Sequence, residues 1–200
     1  NCMRYFRRVI GDSKIPISKV VNLSSTFGKD EEETKQFVTR YIRLTHCDIF
    51  FSDAVILVEG PAEKILVPNF LTKAGLDSYY ISVIEINGRH AHSFRKLIEK
   101  IGIPTLIITD IDAAETKIGK DGKKHLSSVI TSKGKGYKTS NPSIKNWLPE
   151  KEKIDDLLVL DEKEKIIGNV KIAFQTSINV KWDKDTKDLV EICPYTFEDA

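Results

Sequence analysis

Apolar residues along this chain fall into short continuous runs separated by stretches of helical spacing. Ala54-Val55-Ile56-Leu57-Val58 is an uninterrupted apolar run rich in β-branched residues, the pattern of a strand buried on both faces of a parallel sheet. It stops at Glu59-Gly60-Pro61. Ala62, Glu63, Ile65, Leu66, Phe70 and Leu71 then recur at helical intervals, with Pro61 suited to the first helical position and Pro68 expected to kink or interrupt the helix. A second run, Tyr79 to Ile86, closes at Asn87-Gly88. Phe94, Leu97, Ile98 and Ile101 predict a helix over 93–101 that ends at Gly102. A third run, Pro104 to Thr109, leads straight into Asp110-Ile111-Asp112. Upstream, acids in the first turn and Phe37, Tyr41, Leu44 and Ile49 predict a helix over 29–49. Downstream, a helix is expected over 149–167 and a fourth strand from Val170 to Phe174. Strands alternating with helices predict an α/β fold, a mostly parallel sheet flanked by helices on both faces. Residues 1–50 read as an N-terminal linker and helical segment, and 51–200 as the domain proper.

The 200 residues, 40% hydrophobic and 30% charged, suffice for a core without disulfides. No apolar stretch approaches the ~18 residues of a membrane span, so no membrane association is expected. Cys2, Cys47 and Cys193 are odd in number and widely spaced, which fits reduced thiols in a cytoplasmic protein. No secretory signal is visible. With Met3 the sole methionine and Asn1 in mid-flow, the chain reads as a piece of a longer polypeptide. The net charge of +2 hides an asymmetry: residues 117–145 hold eight lysines against one acid, Asp121, whereas 146–200 hold eight lysines against thirteen acids. The segment 113–148 reads as an irregular basic insertion. Its Lys133, Lys135 and Lys138 form a candidate contact to a polyanion, with a solvated loop as the alternative.

In open parallel α/β sheets, ligands gather at the carboxyl ends of strands near the point where strand order reverses. Acids stand at just those ends: Glu59 with Glu63 one helical turn on, and Asp110 with Asp112. If the first and third strands are neighbours, four carboxylates converge. Such a cluster is unfavourable without a cation, and Mg²⁺ suits an all-oxygen site that keeps room for water or phosphate. Gly60, Asn87 and Gly88 would let backbone amides approach an anion. His90 and His92 read as solvated loop residues rather than zinc ligands, and Cys47 as a plain helix residue. Trp147 and Tyr137 are candidates for base stacking, with Trp147 favoured as an anchor of the insertion to the core.

A Glu at a strand end followed by Gly-Pro and a second Glu, then D-x-D after a later strand, resembles the Toprim domain over residues 50–200. LVEGPAEKILVP and IITDID carry the likeness. VIEINGRHAHSF, NPSIKNWLP and the final PYTFEDA resemble most the OLD (overcoming lysogenization defect) family. That resemblance implies a Rossmann-like Toprim fold and a Mg²⁺- or Mn²⁺-dependent DNA endonuclease working by a two-metal mechanism. It implies a phage-defence role, DNA as partner, an N-terminal ABC-type ATPase domain that alone handles ATP, and homo-oligomers. Residue by residue it implies metal ligation by Glu59, Glu63, Asp110 and Asp112, with Glu198 for a second ion. The family's active-site lysine downstream of TFE has no counterpart before Ala200, which points to a C-terminally truncated piece. No Walker A motif is present. Alternatives are another Toprim activity of primase or topoisomerase kind, a phosphoacceptor receiver-like Mg²⁺ domain, and a catalytically idle binding module.

Overall fold

The computed structural model describes residues 3–44, 46–86, 90–118, 122–181 and 189–197. A hairpin of β1 (Arg4–Ile10) and β2 (Pro16–Asn22) comes first, then α1 (Glu32–Leu44). The alternating segment follows as β3 (Ala54–Val58), α2 (Pro61–Lys73), β4 (Ile81–Glu85), α3 (Arg95–Ile101) and β5 (Thr105–Ile108). After it come β6 (Ala113–Ile118), β7 (Lys124–Ser128), β8 (Lys138–Thr139), α4 (Pro142–Trp147), α5 (Ile154–Leu158), β9 (Ile166–Ile167), β10 (Val170–Ala173), β11 (Ile178–Lys181) and β12 (Leu189–Ile192).

The central sheet has the order β4-β3-β5-β10-β9, and only β9 runs antiparallel. The mostly parallel α/β architecture expected from the sequence is the one observed. Strand periodicity splits β3 between two cores. Val55 and Leu57 face a large one with Ile107, Ile172, Leu97, Ile98, Trp147 and Ile154, whereas Ile56 and Val58 meet Val67 of α2 on the opposite face. The chain steps from β3 outward to β4, then returns to the other side of β3 as β5. Strand order therefore reverses between β3 and β5, and a crevice opens at their carboxyl ends.

Several local expectations are corrected. Residues 4–22 form a hairpin rather than a linker; β1, RYFRRVI, carries apolar residues on both faces, which hides its period of two. Arg7 of this hairpin donates to the carbonyls of Ile101 (3.2 Å) and Gly102, caps the end of α3, and so ties the hairpin to the domain. Gly102 takes the left-handed conformation (φ +65°) expected of it. Pro68 does not interrupt α2; Pro68 and Lys64 are both exposed, so water is available to the Lys64 carbonyl that the missing N–H leaves free. The helix expected over 149–167 shrinks to α5. The Asp161 carboxylate accepts from the Lys163 N–H (2.7 Å) and the Glu164 carboxylate from the Asp161 N–H (3.0 Å), local bonds that compete with helix. The basic segment is not irregular either, since β7, β6 and β8 form an antiparallel sheet in that order.

Trp147 is 1% exposed within the larger core and lies under the Arg95 guanidinium, 4.7 Å from its ring centre. It anchors the end of the insertion. Trp147→Ala should cost about 3–5 kcal/mol of stability, measured by urea unfolding. A loss below about 1 kcal/mol would show that the insertion is held by something else.

Candidate active site at the carboxyl edge of the sheet

Parallel pairing of β3 with β5 aligns Val58 with Ile108, so the next residues, Glu59 and Thr109, emerge side by side. The Thr109 hydroxyl donates to Glu59 Oε1. One residue further, the Asp110 carboxylate accepts from the Gln175 side-chain amide, just past β10, and from the Phe197 N–H (3.1 Å). The backbone then turns sharply at Asp112, whose φ of +49° is rare for a residue with a β-carbon. A strap of Thr139, Ser140 and Asn141 runs along this acidic turn. The Thr139 hydroxyl donates to the Ile111 carbonyl (2.6 Å) and the Ser140 N–H to the Asp112 carbonyl (2.8 Å). Asn141 Nδ2 lies within hydrogen-bonding distance of Glu59 Oε1 (3.1 Å), Thr109 Oγ1 (2.8 Å), the Asp110 carbonyl (2.8 Å) and Asp112 Oδ2 (3.0 Å).

Residues 50–112, the stretch bearing Glu59, Asp110 and Asp112, match the sequence model of the family described as the overcoming lysogenization defect protein-like Toprim domain. The endonuclease GajA of Bacillus cereus (strain HuB5-5) is 33% identical over 148 residues, which cover 74% of this chain and 20% of that protein. This chain carries an OLD-family Toprim domain. The C-terminal region of the Burkholderia pseudomallei OLD protein is 32% identical, over 36% of this chain and 37% of that one, with a TM-score of 0.31. The chain thus spans about a fifth of the length of its curated relative.

In the Toprim site Glu59 and Asp110 hold protons more tightly than free carboxylates. Burial pushes Asp110 up to about 6, the charges of Glu59 and Asp112 push the same way, and the bonds from Gln175 and Phe197 oppose them. Glu59 is also raised, first by burial and then by Asp112, against the hydrogen bonds of Thr109 and Asn141. Burial and the mutual repulsion of neighbouring carboxylates thus act in the same direction at this edge. Among the described residues, no group of three or more His, Cys, Asp or Glu is already set around one point as a metal site. The carboxylates instead rest on amide and hydroxyl donors.

Asn141 Nδ2 links the Glu59 and Asp112 carboxylates and the Asp110 carbonyl, while Gln175 and Phe197 hold the Asp110 carboxylate. Glu63 takes a different position: it is 5% exposed and its carboxylate accepts from the Gly60 N–H (3.2 Å), closing the start of α2. Gly60 is consequently extended (φ −140°) with its N–H already engaged, which departs from the amide-lined anion contact expected there. Asn87, Gly88 and Glu198 lie outside the described residues. Lys133 is paired with Glu191 and Lys138 with Glu152 (3.2 Å), while Lys135 occupies an exposed turn between Gly134 and Gly136. Asn141, Thr109 and Gln175 were not singled out from sequence; the Asn-Pro-Ser start of α4 was the available signal, because it marks a helix cap. A cavity of about 830 Å³ lies elsewhere, between α1 and the outer edge of β4, with Phe37, Arg40, Tyr41 and Val83 in its wall.

Because Asp110 binds its proton more tightly folded than unfolded, folding takes up a proton between the ordinary value of 3.8 and about 6. Stability from this group is greatest below that window and falls as pH rises through it. In EDTA, wild type should lose about 1–2 kcal/mol relative to Asp110→Asn between pH 4 and 7, allowing for solvent screening. Parallel stability curves for the two proteins would contradict the assignment.

Proposed function

We propose that this Toprim domain is the catalytic part of a metal-dependent DNA endonuclease. The observation that carries the reading is the placement of Glu59, Asp110 and Asp112 along one sheet edge, at the β3/β5 switch point. Its support is the sequence likeness to a protein named as an endonuclease. The donor set fits Mg²⁺ or Mn²⁺: three carboxylates are hard oxygen ligands, and burial, reinforced by their mutual repulsion, raises the proton affinity of Glu59 and Asp110. Glu59, Asp110 and Asp112 would hold the ion, with Glu63 and Glu198 as further ligands once Glu63 leaves its cap. A bound ion supplies an acidified water and charge neutralisation at the scissile phosphate.

The chain's own residues do the rest. Glu59 and Asp110, whose proton affinities are raised, would release their protons on taking up the ion. Thr109 and Gln175 fix their rotamers. Lys135, together with Lys133 and Lys138 when DNA phosphates replace their surface partners, supplies a basic contact to the strand, since exposed ion pairs of this kind are worth under about 1 kcal/mol. In the full-length protein the domain acts beside an ATPase domain, in a homo-oligomer, with a role in phage defence.

The full-length protein should cut DNA with Mg²⁺ or Mn²⁺. Glu59→Ala and Asp110→Ala should each lower cutting by at least about a hundredfold, with the circular dichroism spectrum unchanged. Undiminished cutting in EDTA, or by either variant, would sink the reading. Separately, changing Lys133, Lys135 and Lys138 to Gln should reduce the slope of log affinity against log salt by up to about three, as measured by fluorescence anisotropy. An unchanged slope would return these lysines to the role of a solvated loop.

A further inference from the structure

Asn141 is fully buried, although it is polar, and every bond it makes is accounted for. Its Oδ1 accepts from the Ser143 N–H (2.8 Å) as the cap of α4, and its own N–H donates to Thr139 Oγ1 (3.0 Å). Because the cap needs the oxygen, the amide cannot flip, and Nδ2 is obliged to face Glu59 and Asp112. The choice of residue type follows from electrostatics. A lysine or arginine here would neutralise the pocket and compete with any cation, whereas a carboxamide donates hydrogen bonds without altering net charge. Gln175 repeats the solution for Asp110: it is 8% exposed, its amide nitrogen serves the carboxylate, and its oxygen accepts from the Ile111 N–H (2.8 Å).

We infer that Asn141 is a positioning residue that presets Glu59 and Asp112 for a divalent cation, so that the ligands are in place before the ion arrives. The inference rests on the proposed metal-dependent reading of the same site. Its physical content is separable from helix capping. Serine caps a helix as well as asparagine but is too short to carry a donor to the acids.

Mn²⁺ binding to the chain, followed by the electron paramagnetic resonance signal of the free ion, tests this directly. Asn141→Ser should bind Mn²⁺ about ten- to a hundredfold more weakly than wild type and keep the wild-type circular dichroism spectrum. Wild-type affinity in Asn141→Ser overturns the inference alone. Absence of Mn²⁺ binding by wild type, or binding that Glu59→Ala leaves intact, overturns it together with the metal reading. Asn141→Asp gives an independent measure, since it retains the capping oxygen and places a charge where the donor stood. In EDTA its melting temperature should fall below that of Asn141→Ser, and Mn²⁺ should recover most of the difference. An equal deficit with and without Mn²⁺ marks a merely structural role and overturns the inference.

Discussion

The pairing of β3 with β5 is the constraint on which the rest depends. Two five- and four-residue strands, in parallel register with Val58 opposite Ile108, determine both which residues are core and which acids meet. A slip of one residue would carry Val55 and Leu57 to the face of Ile56 and Val58. That would expose apolar surface on one side and crowd α2 on the other. The same slip would draw Glu59 away from Thr109. Core packing and chemistry are thus specified by one register, and the carboxylates sit where they do because burial elsewhere leaves the strands no other alignment.

Holding three acids at one sheet edge is unfavourable, and the fold manages the repulsion without cancelling it. Neutral amides and a hydroxyl orient the carboxylates without adding a charge of their own. Several described lysines pair with acids outside the pocket. Lys133 and Lys138 of the basic segment meet Glu191 and Glu152, and Lys165, almost fully buried, pairs with Glu162 (2.8 Å) and lies over the Phe174 ring. Two of these pairs, Lys133–Glu191 and Lys138–Glu152, join the lysine-rich residues 117–145 to the acid-rich residues 146–200.

Much of this was legible in the sequence because the signals were local. Val55 to Val58 and Leu106 to Ile108 are runs too apolar to be anything but buried strands, and Glu59 and Asp110 are found by counting one or two residues past them. Gly102 announced the end of α3 for the same reason. What could not be read depended on distant partners. Asn141 approaches Glu59 from 82 positions away, and nothing in Asn-Pro-Ser distinguishes a helix cap from a cap that also serves an acid. Glu63 illustrates an ambiguity of spacing: its position suits a ligand, and it equally suits the bond it accepts from the Gly60 N–H. The hairpin at 4–22 was hidden because both of its faces carry apolar side chains, and the period of two vanishes when polar residues do not mark the outer face.

The strap over the acidic turn also has a bearing on how the domain tolerates change. Ala114 and Lys138 are ladder partners, and Ala113 pairs with Thr139, so everything between 114 and 138 leaves and re-enters the molecule at nearly one point. Doubling a loop closed at its base costs only about 0.6 kcal/mol. The β6–β7 end of the segment can therefore change length at little cost, whereas Val129, Thr131 and Tyr137 pack back onto the molecule and keep Asp112 on one side of the junction and Asn141 on the other fixed.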